Sequence, residues 1–208
     1  MKGCIFVMLA ALASSQMSCA FIARMASMMP PPTKKIAAEF TRMAGRKVLV
    51  HVWVEPAAQI DYPWARYELA EGVVAGLEAH VKNIEIVEPA RIEDHLEKTY
   101  QNTVDPVTVG RKFGADMVVY LEVSRISMRD PATPQLYRGR IHSSVVVYDL
   151  TDDDAEPQRF ELTPVEVQVP KGRAQGVFVA NPQQLRLQTY AEYAAEVALR
   201  FYDHEVEI

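Results

Sequence analysis

The sequence predicts an α/β fold of mixed α+β type: a mixed sheet of about five strands with helices packed on it, in the order β-α-β-α-α-β-β-β-α. Two observations predict this class. In the first half, short apolar runs rich in β-branched residues alternate with stretches of helical periodicity, which favours parallel strands joined by crossover helices. In the second half, three long strand-like segments follow one another through short turns, which favours antiparallel hairpins.

The first half opens on a strand that should be buried on both faces. Lys47–Val54 reads KVLVHVWV, a nearly continuous apolar run that is typical of central strands. In Trp64–Lys82, apolar residues recur at steps of three and four, which predicts an amphipathic helix. A short strand, a helix and a short helix that stops at Gly114 follow at Ile84–Val87, Ala90–Tyr100 and Val107–Phe113.

Three strands and one helix are predicted in the second half. The strands are Asp116–Met128, Tyr137–Leu150 and Arg159–Val169. Pro164 lies within the third strand and has no N–H to donate, so this strand is expected at a sheet edge or with a bulge. The spacing of apolar residues in Gln184–Tyr202 predicts the last helix, and an exposed tail is expected at 203–205. The apolar stripe of this helix is expected at Leu187, Tyr190, Ala191, Ala194, Val197, Ala198 and Phe201.

Three parts are predicted along the chain: a signal peptide at 1–18, a lipid-anchored leader with a proline-rich linker at 19–36, and a single α/β domain at 37–208. Lys2 gives a positive start, the run from Ile5 to Ala13 is apolar, and residues 14–18 are mostly small and polar. This is the layout of a secretory signal. The apolar run is shorter than the roughly 20 residues that a membrane-spanning helix needs.

Cys19 is the expected site of lipidation. It follows the small residue Ser18, as the modified cysteine does in the lipobox of bacterial lipoproteins, although Gln16 stands where that motif usually has leucine. We favour a palmitate-bearing lipoprotein, held at the membrane by its lipid, because an exported chain rarely keeps one unpaired cysteine. Two alternatives stay open: ordinary cleavage after Ala20, which leaves a soluble protein, and an uncleaved anchor that runs on to Met29.

The composition fits an exported acidic protein. Cys4 and Cys19 are the only cysteines, so the domain can form no disulfide, which suits an oxidising compartment. The net charge of −5 argues against nucleic acid as a partner, because phosphate binding calls for a basic surface. We therefore expect a cell-envelope protein that faces the periplasm. The outer membrane is favoured, although the sequence does not separate it from the inner one.

The order of elements and one motif resemble a group of bacterial envelope lipoproteins. The motif is a helix followed by Gly114-Ala115-Asp116 and the apolar strand that begins at Met117. The group comprises the curli-secretion lipoproteins, the lipoprotein activators of penicillin-binding proteins and the N-terminal domain of the Tol-system translocation protein. The resemblance implies an anticodon-binding-domain-like fold and a role in binding or scaffolding rather than catalysis.

No catalytic, metal or cofactor site is predicted. The chain has no glycine-rich phosphate loop, HExxH helix or GxSxG elbow, and its five histidines show no metal-ligand spacing. His51, in the first strand, is interpreted as a core histidine with a hydrogen-bond partner. The competing interpretation places a small-molecule-binding or enzymatic site around His51 and the ends of the strands.

Four arginines form the candidate docking patch: Arg125, Arg129, Arg138 and Arg140. They occupy polar positions on two strands that are expected to form a hairpin, so all four would line one sheet surface beside the Asp130–Gln135 loop. Such a surface would bind an anion or dock a partner. Tyr62, Trp64 and Tyr137 would either add an aromatic rim or belong to the core. The alternative is a solvated face balanced by acids such as Glu122.

These observations predict a non-catalytic envelope lipoprotein that acts as a binding or scaffolding module. Its partner would be another envelope component, either a protein or a glycan. The sequence does not determine the oligomeric state.

Overall fold

The computed structural model describes residues 33–99, 105–152, 155–176 and 181–207. The described residues between 37 and 204 form one compact unit. Residues 33–36 and 205–207 belong to a second unit. The strands are β1 (Thr33–Ile36), β2 (Lys47–Val54), β3 (Glu85–Ile86), β4 (Met117–Arg129), β5 (Tyr137–Asp149), β6 (Gln158–Val169) and β7 (His204–Glu207). The helices are α1 (Pro56–Asp61), α2 (Ala65–His80), α3 (Pro89–Thr99), α4 (Pro106–Lys112) and α5 (Pro182–Ala198).

The main sheet is mixed, as the sequence predicts. Its strand order is β3-β2-β4-β5-β6. Strand β2 runs parallel to both β3 and β4, with Val50 opposite Val119. Strands β4, β5 and β6 are antiparallel neighbours. The parallel pairs thus belong to the half of the chain in which helices alternate with strands, and the hairpins belong to the half in which they do not.

Helices α2 and α5 cover one face of this sheet, here called the inner face. Side chains from β2 and β4, such as Val50 and Val119, join the buried side chains of the two helices in one core. The two helices pack closely, since a Cβ added at Gly72 would lie 2.9 Å from the Ala194 Cβ. On that face Tyr193 is fully buried, and its hydroxyl lies 2.8 Å from the Ser143 hydroxyl.

Helices α3 and α4 cover part of the opposite face, here called the outer face. Leu49 and Val118 pack there against Ile92, Leu96 and Val109. Helix α4 begins at an Asp105 cap, whose carboxylate accepts the Thr108 N–H at 2.9 Å. It stops before Gly114, which has a φ of 61°, a left-handed conformation that glycine adopts without strain. The predicted helix stop is confirmed.

All of the predicted strands and helices are present, with ends that differ by a few residues. One helix was missed: α1, which Glu55 caps by accepting the Ala58 N–H at 3.2 Å. The predicted stripe of the last helix was partly wrong. Leu187 is 54% exposed, whereas Leu185 and Tyr193 are buried, because the helix is rotated so that its 185–189–193 line faces the sheet.

Strand β6 forms one edge of the main sheet and carries a bulge at the predicted proline. Ser143 pairs with Val165 and Val145 with Leu162, so one extra residue is inserted in β6 next to Pro164. The prediction of an edge strand or a bulge is confirmed on both counts. At the same point the Thr163 N–H donates to the Glu39 carboxylate at 2.7 Å.

Strands β1 and β7 form a separate two-stranded sheet, in which the Thr33 hydroxyl donates to the Glu205 carboxylate at 3.0 Å. The sequence did not predict either strand. The expectation that residues 203–205 form an exposed tail was partly wrong. Asp203 and Glu205 are exposed, but β7 begins at His204.

Candidate functional site

An open pocket of about 430 Å³ lies at one end of the compact unit. We call it the aromatic pocket. It lies where β4 ends and β5 begins, between the turn after α1 and the first residues of α5. Its wall combines three aromatic rings with two guanidinium groups, contributed by Tyr62, Trp64, Tyr137, Arg129 and Arg186.

The turn between α1 and α2 presents two of the rings. Its backbone is fixed by hydrogen bonds from the Tyr62 N–H to the Ala58 carbonyl, at 2.9 Å, and from the Ala65 N–H to the Tyr62 carbonyl, at 3.0 Å. Burial raises the pKa of the Tyr62 phenol above its usual range, although a hydrogen bond with the Met128 backbone acts to lower that pKa. Tyr62 is therefore the anchored ring of the pair. Trp64 is 64% exposed and projects into solvent.

The two arginines of the pocket are held in place by different partners. Arg129 lies opposite Tyr137 in the β4–β5 ladder, and its guanidinium carbon is 4.0 Å from the Tyr137 ring centre. This cation–π contact contributes about 0.5–1 kcal/mol at an exposed site. Arg186 forms an ion pair with Glu68 across the α2–α5 contact. Both guanidiniums are thus oriented before any ligand arrives.

Two exposed apolar side chains are next in sequence to residues that line this pocket. Ile60 is 82% exposed and Leu187 is 54% exposed. Ile60 precedes the Asp61–Trp64 turn, and Leu187 follows Arg186 along the chain. Isolated exposed apolar residues of this kind are ordinary on protein surfaces.

A second pocket, of about 460 Å³, also has Trp64 in its lining. The rest of that lining includes the acidic residues Glu68, Glu93, Asp94 and Glu97. Trp64 thus belongs both to a pocket that contains two arginines and to a pocket rich in carboxylates. A partner with an apolar group at its centre would meet opposite charges on its two sides.

The structure divides the four predicted arginines among three environments. Arg125 and Arg140 line a pocket of about 300 Å³ on the outer face. Arg129 belongs to the aromatic pocket. Arg138 forms an ion pair with Asp130, at 3.2 Å from the Arg138 Nε to the carboxylate, and donates to the Gly172 carbonyl at 2.8 Å. The four arginines therefore do not line a single pocket.

The physical reason is a pair of register shifts in the β4–β5 ladder, between Val123 and Arg125 and between Ser127 and Arg129. Each shift changes which face the next side chain occupies. A strict two-residue alternation, on which the expectation depended, therefore does not hold along β4. The first shift brings Arg125 into one pocket with Arg140, whereas Arg129, beyond the second shift, lies beside Tyr137 in another. That any of these arginines docks a partner stays a prediction.

His51 is buried, with 3% of its surface exposed. It lies on β2 with its ring centre 5.6 Å from that of Tyr120, and its Nδ1 has no hydrogen-bond partner among the described residues. Burial, with a smaller effect of the Arg66 guanidinium, lowers its pKa to about 4, although Asp105 acts in the opposite sense. The expected core position is found, whereas the expected hydrogen-bond partner is lacking at Nδ1.

Comparison with known proteins gives structural likenesses only. No family model matches the sequence, and no curated protein matches it. Among solved structures, the chain is similar to a PelC dodecamer from Paraburkholderia phytofirmans (TM-score 0.40, 10% identity, 83% of this chain and 99% of that one). It is also similar to lipoprotein GNA1162 from Neisseria meningitidis (TM-score 0.43, 16% identity, 73% and 97%). A third is the hypothetical protein CT253 from Chlamydia trachomatis (TM-score 0.42, 13% identity, 74% and 96%).

These similarities are too low to assign a function to this chain. The resemblance to the curli-secretion group stays a prediction. Cys19 and the rest of the predicted leader up to residue 32 lie outside the described residues. No helix among the described residues is long and apolar enough to cross a membrane.

Sequence reasoning found the aromatic members of the pocket and missed Arg186. Tyr62, Trp64 and Tyr137 were expected as a rim, and the structure brings all three into one wall. Arg186 gave no signal, because its role depends on the packing of α2 beside α5 and on the pairing with Glu68. Chemically, the pocket offers flat apolar surfaces and charged donors, a combination suited to recognition.

Proposed function

We propose that this chain is a lipid-anchored, non-catalytic module of the cell envelope that binds another envelope component through the aromatic pocket. The observation that carries the proposal is the pocket wall, in which three aromatic rings and two oriented guanidiniums surround an open cavity and Trp64 is mostly exposed. The component is an envelope protein or a glycan, since both offer groups that stack on aromatic rings.

The residue types of the pocket support binding. Tryptophan, tyrosine and arginine are the residues that most often dominate the energy of an interface. Burying a large apolar side chain contributes about 1.5–3 kcal/mol, and the exposed Trp64 ring has most of that contribution still available. Because Tyr137 and Glu68 already orient the arginines, less conformational entropy is lost when a partner binds.

The environment of His51 supports binding over catalysis by this residue. A general base works best when its pKa lies near the operating pH and its nitrogen reaches the substrate. The His51 imidazole is buried and its pKa is lowered to about 4. The alternative function, a small-molecule-binding or enzymatic site near His51, therefore has less support than the aromatic pocket.

The tether is tested at Cys19. Metabolic labelling with palmitate in a bacterial host should label the wild-type chain and should not label Cys19→Ala. Globomycin, which blocks removal of lipoprotein signal peptides, should make the precursor accumulate only for the wild type. Cys4→Ala serves as the matched control and should keep the label. Labelled Cys19→Ala would contradict the lipid anchor.

The binding surface is tested by crosslinking in the intact envelope. Trp64 is replaced by p-benzoylphenylalanine, whose excited carbonyl inserts into C–H bonds of protein and glycan alike. A discrete adduct should form at Trp64. None should form at Glu78, an exposed position on the same helix, roughly four turns away. Protease or glycosidase treatment of the adduct then identifies the class of partner.

Two outcomes would contradict the proposed surface. The first is an absence of adducts at Trp64, and the second is the same adduct at Glu78. Because Trp64 is exposed, its replacement should change the free energy of unfolding by no more than about 0.5 kcal/mol, so a lost adduct would not reflect misfolding.

A further inference from the structure

The outer face of the sheet carries a second, separate set of charges, here called the outer-face arginine site. It is a pocket of about 300 Å³ lined by Ser124, Arg125, Arg140, His142 and Glu166. A Cβ added at Gly139 would point at Thr189 of α5, so the side chains on either side of it in sequence point away from α5. Alternation along β5 therefore puts Arg140 and His142 on the outer face.

A bulge brings Arg125 to the same face. Residues 117, 119, 121 and 123 of β4 are buried, and an uninterrupted alternation would place Arg125 in that core. Instead, Val123 pairs with Ser143 and Arg125 pairs with His142, so Ser124 is the extra residue of a bulge. Arg125 and Ser124 are both exposed as a result. Bulges of this kind often re-aim a side chain beside a functional site.

The two arginines lack the partners that comparable arginines have. Arg66, Arg138 and Arg200 also bury an Nε without a hydrogen bond, but each forms an ion pair with a carboxylate. Arg140 is half-buried with its Nε shielded from solvent and unpartnered. Among the described residues, no carboxylate lies within 4.0 Å of the charged nitrogens of Arg125 or Arg140, and neither stacks on a ring.

A half-buried guanidinium beside a second guanidinium is unfavourable unless an anion compensates it. Glu166, opposite His142 in the β5–β6 ladder, is the carboxylate of the pocket. By charge count, it balances one of the two arginines. A ligand with a single negative charge would gain little beyond this, whereas a doubly charged oxyanion still meets two forked donors.

We propose that Arg125 and Arg140 bind a phosphate group. The Ser124 hydroxyl donates to the His142 carbonyl at 3.3 Å, which leaves the guanidiniums as the main donors. A pocket of this size takes a phosphomonoester with a small substituent. The phosphate belongs to a soluble molecule or to a lipid headgroup, and the experiment separates the two sources.

In the test, the full chain in detergent is titrated with inorganic phosphate as the probe. Binding is measured by calorimetry at constant ionic strength. Saturable binding is expected. Arg140→Gln should weaken it at least tenfold, which corresponds to about 1.4 kcal/mol, and Arg125→Gln should weaken it severalfold. Arg125 is exposed, so its variant keeps the test valid if Arg140→Gln fails to fold.

Arg159→Gln is the matched control, because Arg159 is an exposed arginine on the neighbouring strand β6 that is already paired with Glu161. It should bind phosphate like the wild type. The proposal is overturned if phosphate binding does not saturate, or if Arg125→Gln binds as tightly as Arg159→Gln.

A second arm uses vesicles of phosphatidylcholine with and without phosphatidic acid. Arginine-dependent binding to phosphatidic acid that free phosphate does not displace indicates a lipid source. Displacement by millimolar phosphate indicates a soluble one. Because this site shares no lining residue with the aromatic pocket, a negative phosphate-binding result would leave the crosslinking result at Trp64 unaffected.

Discussion

Gly139→Ala should destabilise the fold by roughly 3 kcal/mol or more, the upper end of what overpacking a core costs. The added Cβ would lie 1.9 Å from the Thr189 Oγ1 and 2.9 Å from the Thr189 Cβ and Cγ2. Thr189 is fully buried, and its hydroxyl donates to the Leu185 carbonyl at 2.7 Å. Relief of the overlap therefore requires α5 to move away from β5, which opens the core beneath it.

Equilibrium unfolding in urea, followed by circular dichroism, measures this effect. Gly172→Ala is the matched control, since no atom lies within 4 Å of its added Cβ, and it should stay within about 0.5 kcal/mol of the wild type. Adding Thr189→Ala should restore part of the stability of Gly139→Ala, because it removes two of the three overlapping atoms. Wild-type stability of Gly139→Ala would contradict the close approach of α5 to β5.

Because of His51, the free energy of unfolding of the domain should fall by roughly 3 kcal/mol as the pH drops from 6.5 to 4. Its pKa falls from 6.5 in a free imidazole to about 4 in the fold, first because of burial and then because of Arg66. The folded state therefore holds the imidazole neutral, whereas the unfolded chain takes up a proton as the pH drops through 6.5. The contribution of the neutral His51 imidazole to the free energy of unfolding is fully present above pH 6.5 and is lost by about pH 4.

The measurement is the free energy of unfolding at several pH values for the wild type and for His51→Leu. Leucine has a similar volume, cannot titrate and removes a buried nitrogen that lacks a hydrogen-bond partner. The difference between the two curves isolates His51 from the carboxylates that titrate at lower pH. If both proteins lose the same stability over this interval, His51 is not held neutral by its surroundings.

The regular parts of the fold could be predicted because local pattern and burial agree there. The run in Lys47–Val54 is apolar on both faces, and the structure places it inside the sheet, between β3 and β4, with helices on both faces. Pro164 indicated an edge or a bulge because a missing donor has few places in a sheet. These inferences depend on chemistry within a few residues.

The missed elements depend on distant partners or on very short spans. Strands β1 and β7 are about 170 residues apart in sequence, as the 172-residue separation of Thr33 and Glu205 shows, and no local pattern links them. Helix α1 has only six residues, too few for a periodicity. Its start signal, Glu55 followed by Pro56, is equally typical of the end of a strand.

The candidate sites show the same division. The aromatic rim and Arg129 were predicted from residue type and position, whereas Arg186 depends on the packing of α2 beside α5. Arg125 and Arg140 were predicted to share a face and do share a pocket, yet the bulge at Ser124 is what makes this true. A bulge has no sequence signature here, because Ser124 is an ordinary strand residue.

The bulged edge of β6 has a consequence for how copies of this protein behave when crowded on a surface. An exposed strand of 12 residues is a template onto which a neighbouring chain can add its own strand. Here Pro164 offers no donor, the bulge bends the strand, and Glu39 occupies the Thr163 N–H. The template is thereby interrupted near its middle, which weakens strand addition from a neighbouring copy.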